Sequence, residues 1–183
     1  MSKDRFVMPM KYYQNIPTPN KSHKSFRVML ATAFGLGLSP IAPGTCGALL
    51  GVVGHIFIVK MFPADNHWIA LVIFFLAVCI VHFILTPWAI EYWHSKDPAH
   101  FVLDEVAGYL VVPILYRADN LWYIVISGFV LFRLFDIIKL PGARYIDQHM
   151  TGPWGILLDD IISALYAVVI LYFVEFGRGL ICA

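Results

Sequence analysis

Charged side chains are scarce in this sequence. Asp, Glu, Lys and Arg together make up 14% of its 183 residues, whereas a soluble domain carries about a quarter. Apolar residues account for 60% of the chain, and its mean hydropathy is +0.74. A single soluble core of this size cannot hide so much apolar surface. The composition therefore excludes an ordinary soluble domain and predicts an integral membrane protein.

The usual markers of secreted and zinc-binding proteins are also missing. The three cysteines, Cys46, Cys79 and Cys182, are widely spaced, which excludes a disulfide framework and a zinc-ligand spacing. We interpret them as small apolar side chains. The first 25 residues are polar and basic without an apolar core, so we predict no secretory signal peptide. The seven histidines are scattered, and none is assigned to a metal.

Apolar residues are concentrated in five segments. These are 47–62, 67–90, 101–116, 121–140 and 155–175. The second and fifth approach the roughly 20 residues that a bilayer requires, and the first and third are shorter. We predict an all-α, multi-pass helical membrane protein with about five apolar helices. Residues 1–25 are expected to form a basic, flexible N-terminal arm, and residues 26–183 a single helical domain.

Lys and Arg are distributed unevenly about these segments. If segment 47–62 begins in the cytosol, ten of the thirteen lie on the cytosolic side of the membrane. Cytosolic loops of membrane proteins carry such an excess of positive charge. We therefore predict a cytosolic N-terminus.

Five acidic residues lie close to the ends of apolar segments. They are Asp104, Glu105, Asp136, Asp159 and Asp160. Because consecutive segments run antiparallel, the start of the third, the end of the fourth and the start of the fifth meet at one face. In the predicted orientation this is the cytosolic face. The nearby cations are Arg133 and Lys139, three residues before and after Asp136 on one helical stripe.

Five negative charges against two positive charges indicate a site. Carboxylates that lie close together repel one another unless a cation neutralises them. An all-oxygen ligand set suits Mg²⁺, which often also engages a substrate phosphate. The helix dipole alone would favour either acidic pair, and Arg133 with Asp136 would fit a structural ion pair. Convergence from distant segments favours a functional site, because ionisable residues within a membrane are functional by default.

Glycines on the same face suggest close packing and a phosphate contact. In SPIAPGTCG, residues 39–47, Gly44 and Thr45 could offer backbone N–H groups and a hydroxyl to a phosphate. The order of a P-loop is absent, and composition alone favours a structural turn. Gly108 follows the first acidic pair by one helical turn, where a glycine lets a neighbouring helix approach. TGPWG, residues 151–155, predicts a turn ahead of the last helix.

Three stretches carry a resemblance to a known family when they are taken together. They are GLGLSPIAPGTCGALLG (35–51), KDPAHFVLDEVAGYLV (96–111) and FRLFDIIKLPGARYIDQHMTGPWGILLDDIISALYA (132–167). Their A-P-G-T, D-E-x-x-G, F-R-x-F-D-I-x-K and G-I-x-L-D-D elements resemble those of the phosphatidylglycerophosphatase A family of bacterial lipid phosphatases, in the family's order and spacing.

The resemblance implies a Mg²⁺-dependent hydrolase of a lipid phosphomonoester. It assigns catalytic and metal-binding roles to the five acidic residues named above. It assigns the substrate phosphate to Gly44, Thr45, Arg133 and Lys139. Asp97 and Asp147 also match acidic positions of the family. The nucleophile is either an activated water or an aspartate, and both routes stay open.

On this resemblance we expect hydrolysis of phosphatidylglycerophosphate to phosphatidylglycerol and phosphate, as a step of glycerophospholipid biosynthesis. The expected location is the bacterial inner (cytoplasmic) membrane, with the active site in the cytosol. The expected partners are the lipid substrate and the bilayer, and no nucleic acid. Rival functions are a proton- or cation-coupled transporter and a CDP-alcohol phosphotransferase-like enzyme, whose motif fails here at Pro141 and Ser163. Headgroup selectivity, the number of metal ions and the oligomeric state stay open.

Overall fold

The computed structural model of the protein describes residues 21–182, and these form seven helices. They are α1 (Lys21–Ala31), α2 (Pro43–Met61), α3 (His67–Trp93), α4 (Leu103–Leu115), α5 (Leu121–Ile138), α6 (Pro141–His149) and α7 (Gly152–Cys182). Short 3₁₀ turns occur at Leu36–Leu38 and Ala64–Asn66. No strand occurs within the described range, which confirms the predicted all-α class.

Four of these helices are long and apolar enough to cross a bilayer, namely α2, α3, α5 and α7. With the turn before α3 included, the four stretches measure 18 to 30 residues, and a bilayer core requires about 20. The multi-pass membrane class is thereby confirmed. The predicted count of about five differs, because the third apolar segment forms a helix of only thirteen residues, α4.

α4 is the core of the bundle rather than a fifth span. At about 1.5 Å per residue, a helix of this length reaches roughly 20 Å, short of a bilayer core of about 30 Å. It packs against α2, α3, α5 and α7, and ten of its residues are buried. A helix that is apolar on all sides is a buried one, and here the surface that covers it is protein.

α2 begins inside the stretch for which a loop was predicted. Pro43 occupies its first turn, where the missing N–H and the fixed φ of proline are favourable. The A-P-G-T element therefore lies on the N-terminal turn of a spanning helix. Further along, a Cβ at Gly51 would lie 3.0 Å from the ring of Tyr109. Glycines at Gly47 and Gly51 thus allow α2 and α4 to pack closely.

α7 also begins earlier than predicted, at Gly152, whose φ of 77° favours glycine. His82 on α3 stabilises the N-terminal end of α7, because its Nε2 donates to the carbonyl oxygen of Pro153 at 3.0 Å. Asp159 and Asp160 lie roughly 10 Å along the helix from its first residue. The predicted TGPWG turn is therefore largely helical, and the acidic pair lies beyond the first turn.

α6 is a short helix that the sequence reasoning did not include. α5 ends at Lys139, which adopts a left-handed conformation with a φ of 50°. The chain then enters α6, which packs on α7 through a face that includes the buried Ala143. α6 therefore joins the ends of the two spanning helices that carry most of the predicted acids.

Most of the predicted N-terminal arm falls outside the described residues. α1 begins at Lys21, so the part of the range 1–25 that is described is helical. α1 packs on α3, and three consecutive residues with positive φ, Ala33, Phe34 and Gly35, then redirect the chain toward α2.

Candidate active site

Three carboxylates from two helices converge at one end of the bundle. Asp104 and Glu105 lie on the first turn of α4, and Asp160 lies on α7. One oxygen of each residue lies within 4.8 Å of the others. Asp104 and Asp160 are only 6% and 3% exposed, and Glu105 is half-buried. We call these three residues the acid cluster.

Each member of the acid cluster has an oxygen without a hydrogen-bond partner. Asp104 Oδ1, Glu105 Oε2 and Asp160 Oδ2 are buried, and no donor within the described residues contacts them. Buried polar groups are normally satisfied, and buried charges are normally paired or bound to a metal. The three orphan oxygens therefore fit a cation, and Mg²⁺ prefers such hard oxygen ligands.

Gly108 on α4 permits α5 and α7 to approach α4 closely beside the acid cluster. A Cβ at this position would lie 2.7 Å from the ring of Phe132 and 3.1 Å from the Cβ of Asp160. α5 and α7 therefore both contact α4 at this glycine. A larger residue at this position would move Asp160 away from Asp104. The close packing predicted at Gly108 is therefore present.

Arg133 and Asp136 lie beside the acid cluster on α5. Arg133 Nη1 is 2.7 Å from Asp136 Oδ2, and each side chain is 13% exposed. The guanidinium also faces the first turn of α2, because a Cβ at Gly44 would lie 3.0 Å from Arg133 Nη2 and would overlap Glu105 Oε1. Arg133 Nε has no partner within the described part of the chain. Gly44 thus brings the α2 backbone against both a carboxylate and a guanidinium.

A second group of charges surrounds Lys139. Its Nζ lies 2.6 Å from Asp159 Oδ2 and 2.9 Å from Asp147 Oδ1, and Lys96 donates to the Asp147 carbonyl oxygen at 3.3 Å. Burial lowers the pKa of Lys139, but its hydrogen bonds to the two carboxylates outweigh that effect and hold the pKa above its usual value. The amine therefore stays charged and links α5, α6 and α7.

The structure divides the predicted site residues into two adjoining groups. The first contains Gly44, Asp104, Glu105, Arg133, Asp136 and Asp160. The second contains Asp159 and Lys139. Thr45 follows Gly44 on the first turn of α2 and is half-buried. Asp159 keeps its Oδ1 buried and without a partner among the described residues, so it remains available to a ligand.

Asp147 was not included among the predicted site residues, although the resemblance marks an acidic position there. No helix was predicted between residues 140 and 155, so nothing directed its carboxylate toward Lys139. The signal was present in PGARYIDQH, which begins with a proline and has a polar composition typical of a helix at a surface. Asp97, Asp147 and Asp159 also line a narrow crevice.

Comparisons with known proteins match most of this chain to one family. A family model described as Phosphatidylglycerophosphatase A matches residues 29–175. Proteins of that name from Haemophilus influenzae and Escherichia coli are 31% and 32% identical over 81% and 80% of this chain, and over 88% and 81% of their own lengths. A Bacteroides thetaiotaomicron protein, provisionally named a phosphatidylinositol-3-phosphatase, is 35% identical over 79% of this chain and 90% of its own. No solved structure matches the chain.

Proposed function

This chain belongs to the phosphatidylglycerophosphatase A family, and we propose that it hydrolyses the terminal phosphomonoester of phosphatidylglycerophosphate to phosphatidylglycerol and phosphate. One observation carries the proposal: three orphan carboxylate oxygens lie beside an arginine and the first turn of a helix. This arrangement offers a place for a cation next to a place for a phosphate.

The cation that suits the acid cluster is Mg²⁺. Asp104, Glu105 and Asp160 would hold it through their orphan oxygens, which are hard ligands of the kind that this ion prefers. When bound, the ion neutralises phosphate charge and stabilises the leaving oxygen. Asp136 and the free Oδ1 of Asp159 are candidates to complete the set of ligands.

Arg133 and the first turn of α2 form the anion-binding part of the proposed site. The first N–H groups of a helix lack partners within the helix and attract anions. In α2, Pro43 has no N–H, and the N–H of Cys46 already bonds the carbonyl oxygen of Ala42 at 3.0 Å. The N–H groups of Gly44 and Thr45 therefore remain for a phosphate. Arg133 adds a planar set of donors that matches phosphate oxygens.

Lys139 has a positioning role in this proposal rather than a direct contact with the phosphate. Its ammonium already contacts Asp147 and Asp159, and these contacts orient the Asp159 carboxylate beside the acid cluster. The positive charge still acts on the phosphate through space, because charges in a partly buried site are weakly screened.

Hydrolysis requires a nucleophile in line with the glycerol oxygen that leaves. One carboxylate of the site would accept a proton from an attacking water, or an aspartate would attack phosphorus and form an aspartyl phosphate. In either route a new P–O bond forms while the bond to the glycerol oxygen breaks, and that oxygen takes up a proton. Labelled phosphate trapped on the protein would indicate the second route.

The proposed site faces the cytosol at the inner membrane of a bacterium. By their positions in the sequence, ten of the thirteen Lys and Arg residues fall on the predicted cytosolic side of the spanning helices, and such an excess is typical of that side. A lipid headgroup can reach this end of the bundle while its acyl chains remain in the bilayer.

The provisional name of the Bacteroides relative makes a phosphorylated inositol lipid a second substrate to measure. The acid cluster and Arg133 would bind the phosphomonoester that both lipids share. Discrimination between glycerol and inositol must then come from the residues around the headgroup beyond the phosphate.

The decisive experiment measures phosphate release by the purified protein in detergent, from each of the two lipids, with Mg²⁺ and with EDTA. We expect release from phosphatidylglycerophosphate that EDTA abolishes and that Asp160→Asn reduces about a thousandfold. The matched control is Asp65→Asn, because Asp65 is exposed on the turn before α3 and should leave the rate unchanged. A folded protein that releases no phosphate from either lipid would contradict the proposal and favour the transporter.

A further inference from the structure

The end of the bundle opposite the acid cluster contains a polar pocket. The pocket has a volume of about 420 Å³ and lies where α4 ends, α5 begins and α7 makes its last turns. Four of its lining residues are charged. They are Arg117, Asp119, Glu175 and Arg178. We call this the far pocket, and the two positive and two negative charges among its described residues balance.

An apolar groove adjoins the far pocket. It has a volume of about 620 Å³ and runs between α5 and α7, along side chains such as Ile126, Val130 and Val174. Asn120, Tyr123 and Arg178 line both the pocket and the groove, so the two cavities lie side by side and share part of their walls. A polar pocket beside an apolar groove suits a lipid, whose headgroup would lie in the pocket and whose acyl chain would lie along the groove.

This pair of cavities is too far from the acid cluster to belong to it. α5 begins at Leu121 beside the far pocket and carries Asp136 near its other end. Its eighteen residues extend about 27 Å, close to the thickness of a bilayer core. A lipid in the groove would therefore lie in the leaflet opposite the one whose headgroups reach the acid cluster.

We infer that the far pocket and the groove form a binding site for an ethanolamine-type phospholipid of that opposite leaflet. Arg117 and Arg178 match a phosphate diester, and Asp119 and Glu175 match the three N–H donors of a primary ammonium. A headgroup with negative charge alone would leave both carboxylates without a cation, and a quaternary ammonium could not donate to them.

Two further contacts prepare the pocket for a phosphate. The Asn120 Oδ1 accepts the Tyr123 N–H at 3.2 Å, so the NH₂ of the Asn120 amide remains as a donor. The Arg178 guanidinium lies 4.9 Å from the centre of the Tyr123 ring, which restrains it at the junction of the pocket and the groove. The groove also contains Trp122, which provides a fluorescent reporter within the site.

The test uses the full chain, freed of lipid in detergent and reconstituted in phosphatidylcholine nanodiscs. Phosphatidylethanolamine or phosphatidylglycerol with brominated acyl chains is added, and quenching of tryptophan fluorescence is followed. The signal from the groove is the difference between the wild type and Trp122→Phe. We expect half-quenching by the ethanolamine lipid at about a tenfold lower mole fraction than by the glycerol lipid, because charge-assisted hydrogen bonds favour it.

Two variants and one control separate this site from ordinary lipid contact. Glu175→Gln and Arg178→Gln should each remove most of the tenfold preference. Lys60→Gln removes a cation at the same end of the bundle, on α2 and outside the pocket, and should preserve the preference. Equal quenching by both lipids would show annular contact only and overturn the inference. Stronger quenching by the glycerol lipid, or a preference that persists in Trp122→Phe, would overturn it as well.

Discussion

The two ends of the bundle both carry charged residues, but they hold them in opposite ways. In the acid cluster the carboxylates outnumber the nearby cations, and each keeps a buried oxygen that accepts no hydrogen bond from any described residue. In the far pocket acids and bases are equal in number and exposed to their surroundings. A buried excess of negative charge indicates a place that binds a cation, whereas a balanced and exposed set of charges indicates a ligand that carries both signs.

Two glycines pack tightly at the acid cluster, and one near the far pocket does not. At the acid cluster, Gly44 and Gly108 each lie where a Cβ would collide with a neighbouring helix. Near the far pocket, Gly177 on α7 has open space where its Cβ would be. Close packing at Gly44 and Gly108 therefore fixes the position of the acids, and Gly177 offers a position where an added methyl group meets nothing.

Asp104→Asn should produce the largest contrast between the two ends. The change keeps the size of the side chain but removes a negative charge from the acid cluster, so we expect phosphatase activity to fall about a thousandfold. Asp119→Asn makes the same change in the far pocket and should alter activity by less than about threefold. Rates of phosphate release, measured at saturating Mg²⁺ and lipid, provide the check. Similar losses in the two variants would show that the ends do not differ in this way.

Gly44→Ala should produce the next largest effect. The added methyl group would overlap the Glu105 carboxylate and press on Arg133, and a displacement of about 1 Å can cost a hundredfold in rate. We therefore expect about a hundredfold loss of activity in a protein that remains folded by circular dichroism.

Gly177→Ala is the matched control for that substitution, because nothing lies within 4 Å of the added carbon. It should leave activity unchanged and leave the melting temperature unchanged or slightly raised, because alanine favours a helix more than glycine does. If Gly44→Ala also retained full activity, the close approach of the first turn of α2 to Glu105 and Arg133 would have no part in catalysis.

Lys139→Gln should have the smallest effect of the three. It removes the ammonium that orients Asp159 and Asp147, and loss of such a supporting contact commonly costs 10- to 100-fold in activity or metal affinity. We expect about a tenfold loss together with a higher Mg²⁺ concentration for half-maximal rate, which a purely structural role would not change.

Asp147→Asn tests the same contact from its other side. Because the two residues touch, the double variant should be little worse than Lys139→Gln alone. Losses that multiply in the double variant would mean that Lys139 and Asp147 act separately.

The convergence of the acids was predictable from the sequence, but the shape of the bundle was not. Antiparallel segments with acids at alternate ends must bring those acids to one face, so Asp104, Asp136 and Asp160 could be placed together without coordinates. The same apolar pattern does not reveal whether lipid or protein covers a helix, and α4 was therefore counted among the apolar helices of the membrane domain.

Local backbone conformation explains the other differences. Lys139 adopts a left-handed conformation, which glycine or asparagine usually adopts at the end of a helix. Because a lysine occupies this position, the sequence did not indicate the turn into α6. Gly152 takes the left-handed position ahead of α7, but the nearby Pro153 and Gly155 made the whole stretch read as a turn. The far pocket depends on side chains from three separate elements, and no periodicity connects these elements.

The shortness of α4 has a consequence for how the protein enters the membrane. A segment of thirteen residues that begins with two acids is a poor candidate for independent insertion, because insertion depends on about 20 apolar residues and disfavours acidic side chains. Its partners α2, α3, α5 and α7 are each long and apolar enough to cross a bilayer. α4 would then reach its place by assembly with helices already in the bilayer, so the acid cluster would be completed only when the bundle closes.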